Sequence, residues 1–231
     1  MTPVSSTAPP NDRIVWVDCE MTGLDPVADA LIEVAAVVTD SELTVLGDGV
    51  DVVITPPAAA LEQMVPFVRQ MHTTSGLLEA LPGGTTLADA QAQVLEYVRA
   101  WVPEPGKAPL AGNSVATDKM FLDRDMPELV GHLHYRLVDV SSFKELARRW
   151  YPRLYFASPE KTGGHRALAD ILESIDELRY YRAAMLVPQP GPDSATAREI
   201  AAQILATSVR NGRAAPAPVA PEPVAPEPGD A

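Results

Sequence analysis

Ile14-Val15-Trp16-Val17-Asp18-Cys19-Glu20-Met21-Thr22-Gly23-Leu24 is the stretch that decides how this chain folds. Four β-branched or aromatic residues in succession favour a strand, and the run ends where two acids stand two residues apart. Alternate residues of a strand face the same way, so Asp18 and Glu20 leave one face together, about 7 Å apart at their Cα atoms. Carboxylates beside Ile14 and Trp16 lose several kcal/mol of hydration unless a counter-charge or a metal ion compensates them. The alternative is a strand that surfaces at Cys19 and begins a loop with two solvated acids. The spacing alone leaves both readings open. Cys19 points to the opposite face and reads as a small core hydrophobe.

Outward from this strand, the pattern predicts an α/β layer fold. Leu31 to Asp40 and Leu43 to Thr55 read as two further strands joined by short turns, hence antiparallel. A helical region follows. Thr86-Leu87-Ala88-Asp89 opens a helix whose Leu87, Ala90, Val94, Tyr97, Val98 and Trp101 recur at helical spacing until Pro103 stops it. Short strands at Pro109 to Asn113 and Arg136 to Val138 then alternate with helices at Asp118 to Asp125 and Val140 to Trp150. Such alternation gives a mixed sheet flanked by helices. After Val187 the run Pro188-Gln189-Pro190-Gly191-Pro192 breaks the fold, an Ala-rich helix spans Ser194 to Val209, and from Ala214 only Ala, Pro, Val and Glu alternate. The boundaries expected are a flexible N-terminus over 1–12, one domain over 13–187, a linker and helix over 188–210, and a disordered tail over 211–231.

More acids join the first pair. Asp118 follows Gly112-Asn113-Ser114 and falls in the first turn of its helix, where the helix dipole favours a negative charge. Asp170 lies near the start of a helix whose expected apolar stripe is Leu168, Ile171, Leu172, Ile175 and Leu178. His165, five residues earlier, would be turned about 140° away on a regular helix. It converges with Asp170 only if it precedes the helix, which the pair Gly163-Gly164 permits. Singly, Asp118 reads as a helix cap, Asp170 as a solvated face residue and His165 as a loop residue. Together, Asp18, Glu20, Asp118, His165 and Asp170 stand at strand ends or helix starts that can meet in one cleft.

Several blocks of the chain carry a family resemblance. Trp16 through Pro26, Gly112-Asn113-Ser114, His134-Tyr135-Arg136, Asp139-Val140-Ser141, Lys144 through Trp150 and Gly164-His165 through Asp170 resemble oligoribonuclease, a member of the 3′-to-5′ exonuclease superfamily with four acidic residues and a histidine. The resemblance covers residues 13 to 187 and implies a ribonuclease-H-like fold. It implies a homodimeric enzyme that hydrolyses short RNA oligonucleotides, dinucleotides especially, to mononucleotides. It also implies substrate contacts at Leu24, Phe67, His72, Ser114 and Ser141, with Tyr135 and Arg136 reaching across a dimer interface. Phe67 departs from the tryptophan common there. The same acids would serve a proofreading-type DNA exonuclease subunit, or survive in a non-catalytic nucleotide-binding module.

The chemistry of phosphodiester hydrolysis asks for these residue types. Two divalent ions about 3.5–4 Å apart can stabilise both the attacking and departing oxygens. Oxygen donors suit Mg²⁺ or Mn²⁺, whereas zinc sites recruit Cys or several His. Asp18, Glu20, Asp118 and Asp170 are therefore read as metal ligands. An imidazole, with its ordinary pKa near 6.5, suits a general base, so His165 is read as the proton acceptor and not as a ligand.

Composition narrows the class. The 231 residues, 46% of them hydrophobic, can bury a sizeable core. One cysteine forbids an intramolecular disulfide and fits a reducing cytoplasm. Neither a leader nor an 18-residue apolar run is legible, so the expectation is a cytoplasmic protein away from membranes. The formal charge of −13 argues against a long nucleic-acid groove, since such binders present a basic footprint. A dinucleotide has a single bridging phosphate, which the metal ions can neutralise, so acidity points to a short substrate.

Overall fold

A computed structural model describes residues 12–160 and 164–210. The expectations for residues 1–11, for Gly163 and for the tail from 211 onward lie outside these described residues. The chain divides into two compact units, the first ending at Leu186 and the second beginning at Val187.

The first unit is built on five strands, β1 (Ile14–Met21), β2 (Leu31–Thr39), β3 (Val45–Val53), β4 (Pro109–Gly112) and β5 (His134–Asp139). They lie in the order β3-β2-β1-β4-β5. The first three form an antiparallel meander in which Trp16 opposes Val37 and Glu20 opposes Glu33. The last two run parallel to β1, so the sheet is mixed, as the alternation of elements predicts. Between β3 and β4 come α1 (Ala58–Glu62), α2 (Pro66–Thr74), α3 (Leu77–Ala80) and α4 (Leu87–Trp101); between β4 and β5 come α5 (Ala116–Asp125) and α6 (Pro127–His132). After β5 follow α7 (Val140–Trp150), α8 (Pro152–Phe156) and α9 (Ala167–Met185). The second unit contains α10 (Ser194–Arg210), which realises the expected Ala-rich helix.

Helices cover both faces of the sheet. Val15, Val17, Cys19 and Met21 enter one core with Ala90, Val94, Leu95 and Val98 of α4 and with Phe121 and Leu122 of α5. Trp16 enters the other core with Ala167, Ile171, Ile175 and Leu178 of α9. A strand buried on both faces loses the alternating pattern, and all nine residues of β2 are buried. Trp16 keeps its indole satisfied by donating to Thr39 Oγ1 at 3.0 Å. The helix α4 begins where its cap predicts, with Thr86 Oγ1 accepting from the Asp89 amide at 3.1 Å.

Two local readings change in the structure. The strand β3 starts at Val45, because Asp40 accepts from the amides of Glu42 and Thr44 and Leu43 turns the chain at a φ of 67°. The buried face of α9 runs through Ala167, Ile171, Ser174, Ile175, Leu178 and Tyr181, while Leu172 is largely exposed. Small and polar residues belong to that face, so reading large aliphatics alone rotated the stripe. The region between Thr55 and Thr86 breaks into α1, α2 and α3, with Pro57 capping the first and Pro66 opening the second.

Candidate active site

The parallel strands deliver their carboxyl ends to one edge of the sheet, the place where open α/β sheets gather ligands. Asp18 and Glu20 arrive there at the end of β1, Asn113 and Ser114 just past β4, and Asp139 at the end of β5. Gly112 makes the close approach possible, since a Cβ there would stand 2.8 Å from the carbonyl oxygen of Val17.

Glu20 is buried, and it meets His165 and Asp170 from the other end of the chain. One oxygen of Glu20, a ring nitrogen of His165 and one oxygen of Asp170 all lie within 4.8 Å of one another. His165 precedes α9 with a φ of 47°, the backward turn that convergence with Asp170 requires. Asp170 projects from the first turn of α9. Asp118, in the first turn of α5, is also buried; its Oδ1 accepts from the amide of Cys19 at 3.0 Å, so it is tied to the backbone between the two acids of β1. Asp18 sits two residues before Glu20 on the same face of β1 and is half-buried.

Burial pushes the Glu20 carboxyl up to about 8, with the charges of Asp170, Glu33 and Asp118 adding to it. Burial likewise raises Asp118 to about 6. Cys19, buried behind them, is raised well above the ordinary thiol range by desolvation and then by Asp118, Asp18 and Glu20, which leaves it an inert core group. Carboxyl groups that hold a proton because they are crowded and dry are short of positive charge. An oxygen-rich donor set of that kind, with one imidazole beside it, fits a hard divalent cation. The geometry alone would admit His165 as one of the donors.

The expected substrate contacts fall into distinct surroundings. Leu24 and Phe67 are exposed at 71% and 78%, so neither is a core residue. Leu24 borders an open groove of about 400 Å³ with Gln63, Val65 and Val68, residues the sequence did not single out. His72 differs: it is fully buried and does not reach the surface. Its Nε2 lies 2.8 Å from the carbonyl oxygen of Met21, which can only accept, so Nε2 carries the hydrogen. The other nitrogen, Nδ1, faces Glu20 Oε2 at 3.8 Å, and burial lowers the pKa of the ring. His72 thus stands behind Glu20 in this structure.

Ser114 and Ser141 are brought together by Asp139, which sequence reading left without a role. One oxygen, Asp139 Oδ1, accepts from the Ser114 amide at 2.9 Å, the Ser141 amide at 2.9 Å and the Ser141 hydroxyl at 2.6 Å. Asp139 is the N-cap of α7, a position its sequence setting before an amphipathic run could have signalled. Tyr135 and Arg136 lie on the edge strand β5, both exposed, with the guanidinium 5.6 Å from the Tyr135 ring centre. They do not join the acidic cluster within this chain.

Two more groups were missed. Glu33, wholly buried on β2, accepts from Arg166 and from the amide of Ala167 at the start of α9. Its signal was a lone acid inside an apolar run of nine residues. Glu177 on α9 accepts from Asn113 Nδ2 at 2.9 Å and pairs with Lys144 Nζ at 3.4 Å, fixing the loop after β4.

A sheet of this order with acids gathered at its parallel edge fits a metal-dependent nuclease, and comparison with known proteins gives the class as exonuclease. The family model described as exonuclease, RNase_T, matches residues 15–178. The oligoribonuclease of Streptomyces griseus is 73% identical over 196 residues, covering 85% of this chain and 98% of its own. That of Cutibacterium acnes is 62% identical over 190 residues, covering 82% and 94%. Among solved structures, the zinc-bound complex of Escherichia coli exonuclease I with single-stranded DNA aligns with a TM-score of 0.59 at 18% identity, over 75% of this chain and 41% of that one. This likeness is one of fold, and the present chain spans less than half the length of that enzyme. The chain belongs to the exonuclease family and, within it, to the oligoribonucleases.

Proposed function

We propose that this protein is a 3′-to-5′ exoribonuclease that hydrolyses short RNA oligonucleotides, dinucleotides above all, to 5′-mononucleotides. The observation that carries this reading is the convergence of Glu20, His165 and Asp170 at the edge where Asp18 and Asp118 also lie. The site supports a two-metal-ion mechanism with Mg²⁺ or Mn²⁺. Asp18, Glu20, Asp118 and Asp170 would hold the two cations, whose chemistry when bound is to stabilise the entering and leaving oxygens of an in-line displacement.

The chain's own groups supply the rest. His165, exposed at the cleft, takes the proton of the attacking water. Ser114, whose amide is anchored on Asp139, has its hydroxyl left to donate to the terminal phosphate, whereas Ser141 would have to turn its hydroxyl away from Asp139 Oδ1 to do the same. The apolar side chains of Leu24 and Phe67 offer exposed faces for bases. His72 contributes through Glu20, whose carboxyl group it backs.

Tyr135 and Arg136 on the exposed edge strand would meet a second copy in a homodimer, so that each site is completed by its partner. The exonuclease domain is taken to span residues 13–187, followed by a linker and helix over 188–210 and the tail over 211–231. No helix among the described residues is long and apolar enough to cross a membrane, and a cytoplasmic site of action suits RNA turnover.

The deciding experiment is incubation of the purified protein with a 5′-labelled RNA dinucleotide, a seven-nucleotide RNA and the matching DNA oligomers, with Mg²⁺, Mn²⁺ or EDTA. Metal-dependent release of mononucleotide, fastest on the RNA dinucleotide, is expected. Preference for the DNA oligomers would move the function to a proofreading-type exonuclease, and no hydrolysis at all would leave a binding module.

A further inference from the structure

The chain around His165 is shaped by a clamp that the acidic cluster does not explain. His165 holds a φ of 47°, a conformation that residues with a Cβ rarely adopt. A side chain placed by an uncommon backbone turn keeps its aim only if the neighbouring backbone is fixed. The next two residues are fixed on a single group. Arg166 donates to Glu33 Oε1 from Nε at 2.7 Å and from Nη2 at 2.6 Å, while the amide of Ala167 donates to Glu33 Oε2 at 3.0 Å. Both oxygens of one carboxylate are therefore spent on two successive residues.

The helix α9 has no side-chain cap from its own N-cap residue, Arg166. Glu33 takes that place from a strand 133 positions earlier. The carboxylate is wholly buried, and Asp51 on β3 approaches the same guanidinium at 3.7 Å. Glu33 also opposes Glu20 in the β1–β2 register, so the anchor of the clamp and the innermost acid of the site share one rung of the sheet. A buried ion pair is a weak device for stability, since an apolar replacement often does as well, but it enforces one geometry. Here the enforced geometry is the direction in which the chain leaves His165 and enters the helix carrying Asp170.

We infer that Glu33 and Arg166 are positioning residues, a clamp that holds His165 in line with the water it deprotonates. The inference rests on the exoribonuclease reading in which His165 is the base. The clamp touches neither substrate nor reacting atoms and acts through the backbone at residues 165–167.

Arg166→Lys keeps the charge beside Glu33 and removes the planar fork. Misplacing a catalytic group by about 1 Å costs on the order of 10²-fold in rate. Arg166→Lys is therefore expected to lower kcat by roughly 10- to 100-fold with KM within about twofold, while Mn²⁺ affinity measured by calorimetry stays within about twofold. The separating test repeats the substitution in a His165→Ala background. With the base gone there is nothing left to aim, so Arg166→Lys should change the residual kcat by less than about twofold. If Arg166→Lys does not fold, Glu33→Gln serves in its place for the kcat comparison in the two backgrounds at saturating Mn²⁺, because the amide keeps the shape and one acceptor; its Mn²⁺ affinity is expected to rise, since the Glu33 charge helps Glu20 to hold its proton. Equal fold-losses in both backgrounds, with His165→Ala itself impaired, would overturn the clamp and leave the base assignment standing. An undiminished kcat in His165→Ala alone would instead remove the base assignment, and the inference with it.

Discussion

Titrating the metal-free protein with Mn²⁺ should release protons, because two of the four expected ligands hold theirs too tightly. Glu20, raised to about 8, is about nine-tenths protonated at pH 7, and Asp118, raised to about 6, about one-tenth. A carboxyl group must give up its proton to ligate, so Glu20 and Asp118 between them should release about one proton on binding at pH 7, nearly all of it from Glu20. At pH 6 the count should rise to about 1.5, since Asp118 is then half protonated. The same fractions set the affinity: between pH 6 and pH 8 the ionised fraction of Glu20 grows about 50-fold and that of Asp118 about twofold, so apparent affinity should rise about 100-fold. Calorimetry in buffers of different ionisation enthalpy measures the proton count directly. In Glu20→Gln the release at pH 7 should fall to about 0.1 and the affinity should become nearly independent of pH over this range. Wild-type binding with no proton release at pH 7, or an affinity flat from pH 6 to 8, would refute the reasoning.

The stability of the metal-free protein carries the opposite sign. Glu20 is raised above its unfolded value of 4.5, so the stabilisation it contributes is complete below that value and is lost as pH rises through about 8. Glu20→Gln should therefore raise the melting temperature of the metal-free protein at pH 8, have little effect at pH 4.5, and abolish Mn²⁺-dependent turnover; a lower melting temperature at pH 8 would contradict this. His165→Ala should cut kcat by roughly 10²–10⁴-fold while Mn²⁺ binding is largely kept, and loss of Mn²⁺ binding as the first defect would make the imidazole a ligand. Thr39→Val leaves the buried indole of Trp16 without its acceptor and should cost about 1–3 kcal/mol in urea unfolding, with no effect on KM. Tyr135→Ala should lower activity with Mn²⁺ affinity unchanged, checked alongside sedimentation; a fully active monomer would exclude a site shared between copies.

Much of the molecule was legible because local and long-range preferences agreed. The run from Ile14 to Met21 is a strand in the structure, since its β-branched residues are buried on both faces and nothing local competes. The helix from Leu87 is marked by its cap and stopped at Trp101, shortly before Pro103. Residues with opposite local and tertiary signals were not legible. His72 sits in a short polar helix that reads as surface, yet its ring is drawn beneath Glu20 by one hydrogen bond to Met21. Glu33 was passed over because it accepts hydrogen bonds from residues distant in sequence, which no periodicity records, whereas Asp139 pairs a local cap to Ser141 with one distant bond from Ser114. Phe67 and Leu24 carry the same ambiguity in reverse, apolar by type but exposed, the one in the first turn of α2 and the other in the loop after β1.

The clamp on Glu33 also bears on the order in which the molecule can be made. The antiparallel meander of β1, β2 and β3 is complete within the first 53 residues, but its middle strand carries a carboxylate whose counter-ion is Arg166. Until that residue has been synthesised, closing a helix over this face would bury Glu33 alone, at a cost large enough to cancel much of the gain from the surrounding valines. In the finished molecule α9 closes this face, and the stretch from His165 to Asp170 brings the counter-ion, the imidazole and the second acid together. A nascent chain released before Arg166 should remain loosely folded and protease-sensitive, so fragments long enough to carry Asp18, Glu20 and Asp118 would be cleared instead of accumulating as binders of metal or RNA.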